Sequence, residues 1–176
     1  MPPRAHAGDA AEGTRGAAVR RESLRIGGMG VGTERSREVF NPYTGALVGS
    51  VACASVAEVR QAIAIGKAFR PRLTRYERYR ICYQTAEALR ARTEEIANLI
   101  TAESGLCKKD SLYEVGRACD VFMFAGNAAL QDDGQIFSCD LTAHGKRRKV
   151  YTLREPLLGV ICAITPFNHP LNQVAH

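Results

Sequence analysis

The sequence predicts an α/β fold, and three observations predict it. Apolar residues recur at helical spacing between residues 56 and 122, behind two Ser/Thr-x-x-Glu capping boxes. After Asp132-Asp133-Gly134 the period shifts from helical to two. Near the end, Gly159-Val160-Ile161-Cys162-Ala163-Ile164 is a continuous apolar run, the pattern of a strand buried on both faces of a parallel sheet.

Residues 1–22 are rich in Ala, Gly and Arg without apolar periodicity, so they read as a flexible tail. A transit peptide fits less well, because Asp9, Glu12 and Glu22 dilute the acidic-poor pattern it needs. Leu24-Arg25-Ile26 before Gly27-Gly28 reads as a short strand and turn. Val39-Phe40, then Asn41-Pro42-Tyr43-Thr44-Gly45, then Ala46-Leu47-Val48-Gly49 read as strand, turn and strand, since Pro42 fixes its φ and Gly45 accepts a positive one. Ser55 and Glu58 form the first capping box, and Val56, Val59 and Ile63 line a helix that reaches about Phe69 and stops at Pro71. Thr74 and Glu77 form the second, opening a helix to about Arg92 with Cys82, Ala86 and Leu89 inward. Thr93 reads as the cap of a third helix carrying Ile96, Leu99 and Ile100, with Gly105 as its terminating residue. A fourth begins near Asp110, with Leu112, Val115, Cys119 and Phe122 on one stripe.

Strands are expected over 136–141 and 149–153, joined across His144-Gly145, with Arg154-Glu155-Pro156 ending the second. Thr165-Pro166-Phe167-Asn168-His169-Pro170 is a turn, and a helix begins at Leu171 and runs to His176. Parallel strands require neighbours reached through crossover helices. Residues 23–176 are therefore expected to be an incomplete domain, which opens a sheet that it does not finish.

Composition bounds the function classes. Hydrophobic residues at 45% and charged residues at 24% argue against a mostly disordered chain. No apolar run approaches the ~20 residues of a membrane-spanning helix, and the N-terminus carries no apolar stretch of signal-peptide length. The net charge of +6 would permit a nucleic-acid partner. Much of the excess lies in Arg4, Arg15, Arg20, Arg21 and Arg25 and in Lys146-Arg147-Arg148-Lys149. No aromatic-rich or recognition-helix pattern accompanies it, so these charges read as a solvated tail and turn, and neither a nucleic-acid nor a membrane partner is expected. The six cysteines form no C-x-x-C pair, and no His stands at zinc-ligand spacing. They read as small buried hydrophobes in a reducing, cytoplasmic setting, with no metal site.

The stretch from Arg154 through Gly159-Val160 to Ile164-Thr165-Pro166-Phe167-Asn168-His169-Pro170 resembles the aldehyde dehydrogenase superfamily, whose pattern there is R-E-P-x-G-V, a few apolar residues, then [ST]-P-W-N-x-P. Asn41-Pro42-Tyr43-Thr44-Gly45, Glu77-Arg78, Glu103-Ser104-Gly105 and Glu114-Val115 are similar to further family motifs in the same order. Within the family, Glu103 to Glu114 and Phe137 to Thr142 look most like the branch that oxidises phosphonoacetaldehyde.

The resemblance implies the N-terminal part of an NAD-binding domain of that fold: helices, a hairpin over 136–153 that serves oligomer assembly, and the first strand of the parallel sheet. The complete enzyme would be a homodimer or homotetramer using NAD or NADP. In the family a cysteine thiolate attacks the aldehyde, hydride passes to the cofactor, and water activated by a glutamate releases the acid. Asn168 aligns with the asparagine that donates to the developing oxyanion. Ile164, Thr165, Pro166, Phe167 and Asn168 align with residues against the cofactor, although Phe167 replaces the commoner Trp and no G-x-G-x-x-G fingerprint is present. Arg117, His169, Asn172 and His176 align with the substrate tunnel, and their polar character suits a small anionic aldehyde. Taken alone, Asn168 is also a turn residue between prolines, Arg117 a surface arginine and His169 a structural turn histidine. The family's nucleophilic cysteine and general base lie downstream and have no counterpart here, so the chain alone is expected to be inactive. A non-catalytic role in assembly is compatible with this reading.

Overall fold

The structure is a computed structural model, and it describes residues 19–131, 133–154 and 159–176. Residues 1–18 of the expected tail, Asp132 of the expected turn, and Glu155 to Leu158 lie outside the described residues. In chain order the elements are β1 (Arg20–Glu22), β2 (Leu24–Ile26), β3 (Met29–Val31), β4 (Ser36–Phe40), β5 (Leu47–Ala52), α1 (Val56–Ala68), α2 (Arg75–Ala91), α3 (Thr93–Ser104), α4 (Lys108–Leu130), β6 (Ile136–Ser138), β7 (Lys149–Tyr151) and α5 (Asn172–Ala175).

The first sheet has the order β1-β5-β4. β4 and β5 form an antiparallel hairpin. Its turn is closed by Asn41, whose side-chain Oδ1 accepts from the Tyr43 and Thr44 amides at 2.9 Å each, while Gly45 takes φ 70°. β1 pairs in parallel with β5, Arg20 opposite Gly49. This corrects the expected tail boundary at residue 22. Arg20-Arg21-Glu22 carries no apolar alternation, so its pairing rests on the backbone ladder of an edge strand, which side-chain pattern does not register. Gly49 permits the approach: a Cβ there would lie 2.6 Å from the Arg20 carbonyl oxygen.

Both capping boxes form. The Ser55 amide donates to the Glu58 carboxylate. At the start of α2 the Thr74 amide donates to Glu77 Oε2 at 2.8 Å, and Thr74 Oγ1 accepts the Glu77 amide at 3.2 Å. The third cap differs from expectation. Arg92 is the residue before α3, and Thr93 is the first helical residue. The Thr93 hydroxyl instead donates to the Arg90 carbonyl at 2.8 Å, serving the end of α2. With only Arg92 between the helices there is no room for an extended capping residue, and the free carbonyls of α2 take the hydroxyl.

α2, α3 and α5 all pack on α4. The core between them holds Ala86, Ala97, Ile100, Val115, Ala118 and Cys119. Small residues set the α2–α4 spacing: a Cβ on Gly126 would sit 3.3 Å from Tyr79 and Cys82. α3 ends at Gly105, whose φ of 75° is left-handed and whose amide donates to the Thr101 carbonyl at 3.0 Å.

Two expected strands are shortened and one is absent. β6 and β7 pair only over Ile136↔Tyr151 to Ser138↔Lys149, because residues 139–148 are used by the connection between them. Residues 159–164 form no strand, contrary to the reading of a first parallel strand buried on both faces. Ile161 is 73% exposed and Ile164 93%. Apolar composition supplies the faces of a strand but not its hydrogen-bond partners, and no described strand lies beside this segment. It runs past α1 instead: a Cβ on Gly66 would sit 2.9 Å from Val160 Cγ2.

Gly105→Ala combines a strained φ with a Cβ 2.9 Å from Pro42 Cγ. It is expected to cost at least about 1–2 kcal/mol, read as a lower urea midpoint at unchanged slope. An unchanged midpoint would show that the α3 end relaxes freely.

Candidate functional site

The turn over residues 165–170 is anchored to α4 at its C-terminal side. Glu114, on α4, is 2% exposed. Its Oε1 accepts the Leu171 amide at 2.7 Å and the Asn172 amide at 3.0 Å, and its Oε2 lies 3.8 Å from His169 Nδ1. Leu171 packs against the core cluster of Ala97, Ile100 and Val115. The Gln173 amide closes the turn on the His169 carbonyl at 3.1 Å. Pro166 and Pro170 restrict the backbone on either side of Phe167, Asn168 and His169.

Phe167, Asn168 and Pro170 form one side of an open cleft of about 550 Å³. Glu103, Ser104, Gly105 and Leu106, at the end of α3, form the other side, with Val39 and Pro42 from the first hairpin. Asn168 is exposed, and among the described residues its side-chain amide has no hydrogen-bond partner. An exposed, unengaged amide three residues before an anchored chain segment is available to donate to a ligand. Residues 164–168 are all exposed, and no backbone hydrogen bond to another described residue ties them down.

The aldehyde dehydrogenase family model matches residues 31–176. The chain belongs to the aldehyde dehydrogenase family. It is 31% identical over 159 residues to the 3-sulfolactaldehyde dehydrogenase of Priestia aryabhattai, covering 90% of this chain and 33% of that protein. It is 34% identical over 142 residues to aspartate-semialdehyde dehydrogenase 1 of Pseudomonas canavaninivorans, covering 79% and 30%. Among solved structures, the NADP-dependent glyceraldehyde-3-phosphate dehydrogenase of Bacillus halodurans C-125, complexed with NADP, superposes with a TM-score of 0.79 at 31% identity, over 89% of this chain and 34% of that one. Aldehyde dehydrogenase 21 of Physcomitrella patens, in complex with the reaction product succinate, gives 0.80 at 26% identity over 90% and 34%. The chain thus has the α/β fold of the N-terminal region of aldehyde dehydrogenases and spans about a third of the length of the curated relatives it matches.

The structure gathers the residues with aldehyde dehydrogenase motifs unevenly. Asn168 and Phe167 share the cleft with Glu103-Ser104-Gly105 and with Pro42 of the Asn41–Gly45 turn, so three motifs far apart in sequence meet there. Asn172 is 3% exposed, and its Oδ1 has no hydrogen-bond partner among the described residues. His176 is exposed. Arg117 stands elsewhere: its guanidinium lies 5.9 Å from the centre of the Tyr113 ring, and it lines a separate depression with Arg90, Thr93 and Asp120. Among the described residues no three His, Cys, Asp or Glu side chains converge to hold a metal ion. No helix of the described residues is long and apolar enough to cross a membrane.

The clamp made by Glu114 was not legible from sequence. Two signals pointed to the residue: the Glu114-Val115 motif, and an acid set between apolar positions on the α4 stripe, where a solvated charge is out of pattern. Glu103 is the second acid of interest. Burial pushes its carboxyl above the ordinary 4.5, the Arg20 guanidinium opposes the rise, and the Glu114 charge adds to it.

A carboxyl raised in the folded state holds its proton better folded than unfolded. Its contribution is therefore present at low pH and is lost as pH climbs through the window above 4.5. Glu103→Gln, which cannot ionise, is expected to gain stability relative to the native chain across that window. Denaturant midpoints of the two chains at several pH values measure this. A difference independent of pH would contradict the burial of this carboxyl.

Proposed function

We propose that, within a protein of its relatives' length, this chain supplies the oxyanion donor and one wall of the cofactor site for NAD(P)-dependent oxidation of an aldehyde to a carboxylic acid. The observation that carries the reading is Asn168: an unengaged amide, exposed at a cleft, on a turn held from both α4 and the core. When a nucleophile adds to the aldehyde carbon, negative charge gathers on its oxygen, and a prepositioned N–H stabilises that charge more than it stabilises the neutral aldehyde. Residues 164–167 suit the cofactor wall, being exposed, with backbone groups free to bond a ligand and an aromatic face at Phe167. NAD or NADP would supply the hydride acceptor. These residues fit one edge of such a dinucleotide; they contain no glycine-rich phosphate cradle, so by themselves they hold only part of it.

The substrate we propose is a small anionic aldehyde, with phosphonoacetaldehyde as the candidate that the motifs suggest. The names of the relatives, sulfolactaldehyde, aspartate semialdehyde and glyceraldehyde 3-phosphate, carry a sulfonate, a carboxylate and a phosphate, which supports an anion. His169 adjoins Asn168 and is half-exposed, which supports a donor to an anion beside that turn, whereas Arg117 lines a separate depression and adds nothing to this support. Asn172, at 3% exposed and with an acceptor oxygen as its unpartnered atom, lends no support to an anion.

The 176 residues alone are expected to reduce neither NAD nor NADP with phosphonoacetaldehyde. The protein to assay is one of the relatives' length that carries this chain. In it, Asn168→Ala is expected to lower kcat by about 10²–10³ with little change in KM. Its kcat/KM is expected to favour phosphonoacetaldehyde over an uncharged aldehyde of like size. An unchanged kcat in the variant overturns the oxyanion role, and an equal kcat/KM for both aldehydes overturns the anionic substrate.

We propose further that the β6–β7 hairpin pairs with another copy, giving a homodimer or homotetramer. Ile136, Phe137, Val150 and Tyr151 are exposed on a two-stranded ribbon, and such an edge is a ready template for added strands. The six free cysteines fit a reducing, cytoplasmic setting. Sedimentation of that longer protein is expected to give a dimer or tetramer that Val150→Asp with Tyr151→Asp dissociates. A species with unchanged mass in the double variant refutes the pairing.

A further inference from the structure

We infer that Glu114 is the positioning residue for Asn168, and that it acts through the backbone of the turn rather than by touching a ligand. The inference deepens the proposed oxidation of an aldehyde and rests on it for its catalytic consequence only. Glu114 is fixed on α4 between the buried residues Ser111, Val115 and Ala118. Its Oε1 takes two successive amides, those of Leu171 and Asn172, which would otherwise be unpaired donors at the start of α5. Its Oε2 is buried, has no hydrogen-bond partner among the described residues, and lies 3.8 Å from His169 Nδ1. Only His169 and Pro170 separate Asn168 from the clamped amides. Pro170 removes one backbone freedom, and the Gln173 amide to His169 carbonyl bond closes the turn behind it. The link from carboxylate to amide is therefore short and stiff.

The cleft side of Asn168 offers no alternative anchor, since its own side chain has no partner among the described residues. Leu171 gives a second hold through its contact with the core cluster, but an apolar contact is non-directional and sets distance rather than orientation. The two amide bonds to one oxygen set the orientation. Loss of the carboxylate should thus leave α2, α3 and α4 packed and loosen the turn alone.

Amide hydrogen exchange in the 176-residue chain tests the clamp without any activity. Glu114→Leu keeps the bulk and removes the acceptor; it is expected to speed exchange at Leu171 and Asn172 about tenfold or more, with Ile100 and Val115 unchanged. Glu114→Gln keeps an acceptor oxygen and should restore protection to within about threefold of the native chain. Unchanged exchange at Leu171 and Asn172 in Glu114→Leu overturns the inference, as does equal acceleration at Ile100 and Val115, which would make Glu114 a general core residue. In a protein of the relatives' length that carries this chain, Glu114→Leu should lower kcat about tenfold or more with KM within about threefold. Glu114→Gln should recover that loss, and Glu114→Leu combined with Asn168→Ala should be no slower than Asn168→Ala alone. Additive losses would overturn the coupling to Asn168. If that protein oxidises no aldehyde, the functional reading fails, while the exchange result still decides the clamp.

Discussion

Burying a carboxylate costs free energy unless hydrogen bonds replace its water, and in this chain two backbone amides do so at one oxygen of Glu114. That exchange ties the end of the chain to its helical core. α4 brings the acid; α2 and α3 bury the face of α4 around it; α5 and the preceding turn hang from it. Without that tie, residues 165–170 would be attached to the core chiefly through Leu171. The geometry of the cleft depends on it, because the other wall of the cleft, the end of α3, packs independently against α4.

The cleft is a meeting of three stops in the chain. The first hairpin turns at Asn41–Gly45, α3 stops at the left-handed Gly105, and the apolar run stops at Pro166. Each stop exposes backbone and small or polar side chains where regular structure cannot continue, which is why such places recur as ligand sites on rigid scaffolds. The close contact of Gly105 with Pro42 joins two of the three. Glu103, at the same end of α3, is the one acid lining the cleft among the described residues, and its half-burial raises its carboxyl.

The local elements were legible because their causes are local. Ser55–Glu58 and Thr74–Glu77 start helices wherever they fold, and Gly105 stops one because few other residues take its φ. Thr93 was misread because its hydroxyl reaches back to the Leu89 and Arg90 carbonyls at the end of α2, which spacing alone does not show. The strand at Arg20–Glu22 was missed because ladder pairing leaves no mark on three charged side chains. The strand expected at residues 159–164 failed for the converse reason: its side chains fit a sheet, and no neighbouring strand is among the described residues.

The sequence by itself determined the helices, the caps of α1 and α2, the hairpin turn and the family, since each rests on residue types at short spacing within its motif. Tertiary structure alone decided what holds the end of the turn at Leu171 and Asn172. Glu114 and Leu171 are 57 positions apart, and their bond exists only because α4 and the final turn are packed together. It also set Arg117 apart from the cleft, over Tyr113, where helical phase and not composition fixes the direction of a side chain. Spacing along a chain specifies which groups can cap, turn or line a face; which distant groups meet is set by packing, where a buried acid must find its donors.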